Sequence, residues 1–351
     1  MNIVKIKKKQ KKKKFIVIVL LLLIGSLVFF AISKGKNNDA VLGNVLHKEK
    51  KRTLKVIDLD SDSRPLAIMI NNHPEARKYH TGLQEAYIVY EIIVEGGYTR
   101  LMGIYKDANL EKVGSIRSAR HYFLDYALEN DAIFVHWGWS PQAEVDITKL
   151  GMDNINGLSY EDVYFYRDNN LNVAYEHRGF TNSQLLNEAI KKLRYRQTTS
   201  VKSLLDYSID EVDLSSDESA MVANNVSINY SNLVMTSYSY DATKKVYLRS
   251  VNDEKHVDYK TKEQYTAKNI IVYQAENHKI ANDGKGRQDL ENIGSGTGFY
   301  ITDGYAIPIK WEKGTRSAQT KYLDLNGNEI KLNDGNTFIQ IQPSGKELMI
   351  S

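Results

Sequence analysis

Val89–Tyr105 reads VYEIIVEGGYTRLMGIY, and this run decides the fold class of the segment around it. Tyr87–Val94 and Arg100–Tyr105 are short, apolar and rich in β-branched and aromatic residues, the composition of buried strands. Gly96-Gly97 between them permits a tight hairpin. Two carboxylates, Glu91 and Glu95, interrupt the first strand and share one face by its period of two. A two-residue loop would pair Glu95 with Tyr98, Ile93 with Arg100 and Glu91 with Met102. That register sets Arg100 diagonally between the two carboxylates on the same face. A charged triad is costly to bury in so apolar a strand, which favours a cleft wall; the competing reading is a structural salt-bridge ladder.

Working outward, Leu66–Ile70 and Ala132–His136 are two further buried-strand runs. Helical signals separate them: Tyr122–Asn130, then Pro141–Leu150 with Ser140 as N-cap and Gly151 as stop, then a helix from Asn182 or Ser183 to about Arg194. Strands alternating with helices predict an α/β domain over 59–200, a layered sheet with helices. Thr198–Asn225 lacks a clear period, and 201–225 reads as a connector. Beyond it come many short strands punctuated by Asp283-Gly284, Asp303-Gly304, Asn326-Gly327 and Asp334-Gly335, predicting a mostly-β domain over 226–345.

Upstream, eight lysines fall within residues 1–14, and Phe15–Ser33 is uncharged and apolar. Nineteen residues at ~1.5 Å rise span about 28 Å, close to a bilayer's hydrocarbon thickness. The expectation is one transmembrane helix over 15–33, a signal-anchor with 1–14 cytoplasmic and the folded domains extracellular. A cleaved signal, with Ala31 and Ser33 at suitable spacing, would export the same body. Residues 34–58 read as a linker. Residues 1–14 carry +8 and 34–52 a further +4, so with +4 for the whole chain the remainder, 53–351, is −8. An acidic body without a basic domain excludes nucleic acid as a partner. The absence of cysteine excludes disulfides, thiol catalysis and a lipid-modified cysteine.

Several residues invite a site. In VGSIRSAR (113–120), Arg117 and Arg120 face one way if they occupy a helix's first turn, where amide N–H groups and two guanidinium forks suit phosphate, pyrophosphate or carboxylate. The competing reading is a pair of surface arginines bonded to nearby acids. His136 ends a strand and leads through Trp137-Gly138-Trp139 into the Ser140-capped helix, a place where open α/β sheets hold ligands. Asn71-Asn72-His73 follows another strand in the same way, and His177-Arg178 is set in a loop; Asn72 and His177 complete the candidate ligand-binding set. Gly294–Gly298 is glycine-rich but reads as a loop rather than a phosphate cradle. Asp324–Glu329 lacks the glycine a calcium loop needs. No zinc motif is present, so no metal ligands are assigned and the cofactor is unknown.

RPLAIMINNHPEAR (64–77), VYEIIVEGGYTRLMGIY (89–105), VGSIRSARHYFLD (113–125) and HWGWSPQA (136–143) resemble the YerB-like family of bacterial envelope lipoproteins. NDGKGRQDLENIGSGTGFYITDG (282–304) and WEKGTRSAQTKYLDLNGNEI (311–330) resemble its second domain. The resemblance implies a two-domain extracytoplasmic protein of poorly defined activity, with a transmembrane helix in place of the family's lipobox cysteine. His121, Trp137 and Trp139 depart from the family pattern, whereas Glu95, Arg100, Arg117, Arg120 and His136 match it. A fainter likeness, to the LytR-CpsA-Psr phosphotransferases, implies handling of a lipid-linked glycan by arginines. The resulting expectation is an anionic cell-wall or lipid-linked glycan ligand in a cleft of the first domain. Arg100, Arg117 and Arg120 would bind it together with Glu91, Glu95 would orient Arg100, His136 would contact the sugar or peptide part, and Glu95 or His136 would serve as base in any catalysis. The alternatives are a non-catalytic scaffold for a membrane-bound cell-wall synthase and a phosphotransferase. Peptidoglycan, a lipid-linked glycan and such a synthase are therefore the expected partners, together with the membrane.

Overall fold

Alternating inward residues in the strands give one broad sheet two apolar faces, and the rest of the fold covers them. The structure, a computed structural model, describes residues 53–351, a two-domain, mostly-β body with few helices. No helix among the described residues is long and apolar enough to cross a membrane, and the anchor expected at 15–33 lies outside them.

The first part of the chain supplies β1 (Leu66–Asn71), a single helical turn α1 (Pro74–Arg77), β2 (Ile88–Ile93), β3 (Thr99–Tyr105), α2 (His121–Glu129), β4 (Ile133–His136), α3 (Pro141–Lys149), β5 (Asn154–Asn156) and α4 (Ser183–Leu193). The second part supplies β6 (Met221–Val222), β7 (Asn225–Ser231), β8 (Val234–Asp241), β9 (Val246–Val251), β10 (Glu254–Lys255), β11 (Asn269–Ala275), β12 (Gly294–Thr302), β13 (Tyr305–Lys313), β14 (Thr337–Pro343) and β15 (Leu348–Ile350).

One 11-stranded sheet runs β6-β13-β12-β11-β14-β2-β3-β1-β4-β5, with Lys321–Leu323 added on β13. The join is β2 parallel to β14, with Ile88 opposite Thr337 and Ile92 opposite Ile341. The two parts therefore share one sheet. Residues 201–225 are packed too: Leu205, Tyr207 and Leu214 enter the core. A second sheet, β10-β9-β8-β7-β15, lies over one face of the first. That face also receives Leu186, Ala189 and Ile190 of α4, while the opposite face takes Tyr122, Phe123 and Tyr126 of α2 and Ala143 and Ile147 of α3.

Local chemistry explains the helix ends. Ser140 Oγ accepts from Ala143 N (3.2 Å) and Pro141 follows at N1, while Asn182 Oδ1 accepts from Leu185 N (2.9 Å). Each satisfies an otherwise orphaned amide. Two expectations are corrected. Gly294–Gly298 is strand, not loop; a Cβ on Gly296 would fall 2.6 Å from Trp311, so glycine leaves room for the indole. The hairpin register also differs by one: Arg100 is opposite Ile92 and Leu101 opposite Glu91. Glu95–Gly97 form a three-residue loop with both glycines left-handed (φ 72° and 80°), and a one-residue slip exchanges the faces.

Candidate functional site

That slip divides the expected triad. Arg100 lies with Met102 and Ile104 on the face covered by α2 and α3, whereas Glu91 lies with Val89 and Ile93 on the face covered by the second sheet. Glu95, in the loop, stays with Arg100. Its carboxylate accepts from Arg100 Nη2 (3.0 Å) and Arg120 Nε (2.8 Å), and from Arg120 Nη2. Arg100 Nη1 donates to Ser118 O (2.6 Å) and Arg120 Nη1 to Ala119 O (2.7 Å). Burial would raise the Glu95 pKa, but the Arg120 hydrogen bonds and the charges of Arg100 and Arg120 outweigh it and take it down to about 2. Glu95 is thus a fixed anion, unsuited to accept a proton near neutrality.

Arg117 and Arg120 do not share a helical turn. The helix starts at His121, with Arg120 as its extended N-cap residue. Arg117 runs beside β1, where its N–H donates to Met69 O (3.1 Å). Its guanidinium makes one long bond, from Nη1 to Glu176 O (3.4 Å). It borders a cleft of about 360 Å³ lined also by Trp137, Trp139, Leu158, Arg167 and Tyr175. Arg167 is stacked between Trp137 and Tyr175, 4.3 and 3.7 Å from the ring centroids, and is paired with Glu161 (2.6 Å). Of the three expected arginines, Arg117 therefore has the least committed charge.

His136 is fully buried, its Nδ1 2.8 Å from Gly138 O and its Nε2 3.1 Å from Asn154 Oδ1. Burial lowers its pKa. Sealed between these two oxygens, to only one of which a neutral ring can donate, it braces the turn into α3.

The end of β1 holds a second polar group. Asn71 Oδ1 accepts from His73 N (3.1 Å), which orients Nδ2 to donate to His177 Nδ1 (2.8 Å). The His177 proton consequently resides on Nε2, 3.7 Å from the Glu75 carboxylate. His73 stacks on His177 (4.9 Å, 12°) and lies 4.8 Å from Tyr98, while its Nδ1 accepts from Glu75 N (3.3 Å). Burial, then the charges of His73 and Arg117, lower the His177 pKa. His73, Glu75 and His177 are close enough to enclose a cation. Both Nδ1 atoms accept hydrogen bonds, however, so each ring carries a proton on Nε2, where a metal would need a lone pair. The trio is better satisfied as a hydrogen-bonded cluster.

Glu91 and Asn72 belong to a wholly buried network that sequence reading did not find. Glu91 accepts from Asn72 Nδ2 (3.1 Å), Thr99 Oγ1 (2.8 Å), Thr236 Oγ1 (3.1 Å) and Arg249 Nη2 (2.9 Å). Arg249 Nε donates to His256 Nδ1 (3.1 Å), His256 Nε2 donates to His80 Nδ1 (2.9 Å), and His80 Nε2 donates to Asn71 O. Arginine only donates and a carbonyl only accepts, so the two ends fix both tautomers. A signal for Arg249 did exist: in VYLRSV (246–251) the alternation sets it inward with Tyr247 and Val251. Its carboxylate partner Glu91, 158 residues away in sequence, gave no sign of the pairing.

Residues 54–196 match the family model described as "Protein of unknown function (DUF3048) N-terminal domain", and 226–339 match the corresponding C-terminal domain. A Bacillus subtilis (strain 168) protein described as "Putative lipoprotein YerB" is 30% identical over 312 residues, covering 88% of each chain. The crystal structure of the YerB protein from Bacillus subtilis is similar with a TM-score of 0.72 and 29% identity, covering 82% of this chain and 94% of that one.

Proposed function

The chain belongs to the DUF3048 family, and from that premise we propose that its body works outside the cytoplasmic membrane, holding an anionic envelope glycan, free or lipid-linked, in the Arg117 cleft. The observation that carries this reading is the guanidinium of Arg117, which keeps a single long backbone bond beside tryptophan and tyrosine rings. Aromatic faces suit sugar rings, and a guanidinium fork suits a carboxylate or phosphate. Arg100 and Arg120 stiffen the wall through Glu95 rather than reach the ligand. With Glu95 held as an anion and His136 wholly buried away from the cleft's solvent, binding is favoured over catalysis, and the phosphotransfer reading lacks an accessible base. The relative's description as a lipoprotein supports tethering to a membrane. This chain has no cysteine, so the apolar run at 15–33 would serve instead.

A second reading draws on exposed Leu158, Val163 and Tyr175 near the cleft, which would suit docking onto a membrane-bound cell-wall synthase. Binding of peptidoglycan fragments and polyprenyl-phosphate analogues to the purified protein separates the two. Arg117→Ala should weaken binding about tenfold or more, ~1.4 kcal/mol, with an unchanged melting temperature. Undiminished binding in that variant, or a large loss of stability, would reject the Arg117 cleft as the site.

A further inference from the structure

Arg77, the last residue of α1, carries a charge that no neighbouring carboxylate pairs directly. Its Nη1 is buried without a hydrogen-bond partner, and among the described residues no carboxylate lies within ion-pair distance of it. Of the nearby anions, Asp258 and Glu91 are engaged elsewhere, while exposed Glu254 attracts Arg77 without pairing to it. Asp258 accepts from Gly82 N (3.0 Å), Lys260 N (2.8 Å), Thr261 N (3.0 Å) and Tyr265 Oη (2.9 Å). Glu91 is bonded to Arg249. Both nitrogens of His256 are taken by Arg249 and His80.

Burial, then the charge of Arg249, pull the Arg77 pKa down to about 10, which leaves it a cation at neutral pH. Arg77 is half-buried, but its Nη1 is sealed from water with no acceptor, a costly arrangement that a ligand could complete. Arg77 borders a hollow of about 130 Å³ whose charged lining is exposed Lys78, Lys255 and Lys262 against the carboxylates of Glu254 and Asp258. That volume is well below the ~300 Å³ at which small-molecule pockets begin. It suits one tetrahedral group and not a sugar ring.

We propose that this hollow is an oxyanion site that takes a phosphate group on the Arg77 guanidinium, with the three lysines focusing negative charge toward it. A planar guanidinium pairs two oxygens of a phosphate at once, and several cations around one small space favour a multiply charged guest. The lysine rim faces solvent, so the phosphate is either free or the ester of a larger molecule whose remainder lies outside. The site rests on Arg77 alone and does not depend on the Arg117 cleft.

Titration calorimetry on the full chain in neutral detergent tests it, using inorganic phosphate, glycerol 3-phosphate and dimethyl phosphate at matched ionic strength. One-to-one binding of inorganic phosphate is expected, weakened at least tenfold by Arg77→Met and severalfold by Lys255→Gln with Lys262→Gln. Binding of the two dianions alone marks a free or terminal phosphate, whereas equal binding of dimethyl phosphate marks a phosphodiester; both support the site. If Arg77→Met does not fold, Arg77→Lys, which keeps the charge and loses the fork, and the lysine pair carry the test. Absence of binding by all three probes, or equal phosphate affinity in the Arg77 variants, overturns the proposal.

Discussion

Two neutral histidines in the interior make this molecule sensitive to mild acid. His80 is held down to about pKa 3 by burial, with Arg77 and Arg249 adding to the effect. His256 is lowered by burial, then by Arg249, His80 and Arg77. In the unfolded chain both return to about 6.5. Below that pH the unfolded state binds protons that the folded state refuses, so stability falls as pH falls. Each histidine contributes a slope of at most ~1.4 kcal/mol per pH unit. Urea unfolding between pH 6.5 and 5 should show this decline, and His80→Gln should make it shallower. An equally steep decline in the variant would show that the buried chain of rings is not its source. The same rings explain part of what sequence could not reveal. Glu91 and Asn72 were recognisable as unusual polar residues beside strands, but the Glu91 partners Arg249 and Thr236 come from elements that only the fold brings near.

At the scale of elements, the hairpin at 95–97 determines what the Glu95 cluster can be. Its existence was legible from two glycines between apolar runs, and the caps at Ser140 and Asn182 were equally plain. Its register was not, because a glycine pair serves either a two-residue or a three-residue loop, and the choice reverses the face of Arg100. The helical turn expected for Arg117 and Arg120 failed for a related reason: bonding of Arg117 N to Met69 O keeps that segment extended until His121. The loop also leans on the second sheet, since Ser231 Oγ donates to Gly97 O (2.6 Å). A Cβ on Gly97 would stand 3.3 Å from that Oγ, in a left-handed backbone (φ 80°). Gly97→Ala should therefore cost ~1–2 kcal/mol, read as a lower melting temperature. An unchanged melting temperature would mean the loop tolerates another conformation.

For the whole molecule, the decisive feature is that both family-matched segments build one sheet. Separating them would expose β2 on one side and β14 on the other, each a long apolar edge. Residues 53–196 and 226–351 made separately should be insoluble or lack cooperative unfolding, while the joined body unfolds in one transition. Two separately soluble, cooperatively melting halves would refute this. The sequence suggested two domains because composition changes near 200–225, but composition does not report which strands become neighbours.

The pairing of Ile88 with Thr337 also imposes an order on synthesis. Ile88–Ile93 leaves the ribosome long before its parallel neighbour at Thr337–Pro343 is made. The nascent chain must keep that sticky border unclaimed through the intervening synthesis, the circumstance in which helpers against aggregation matter most. A stop codon shortly before Thr337 would thus damage the beginning of the protein as much as its end.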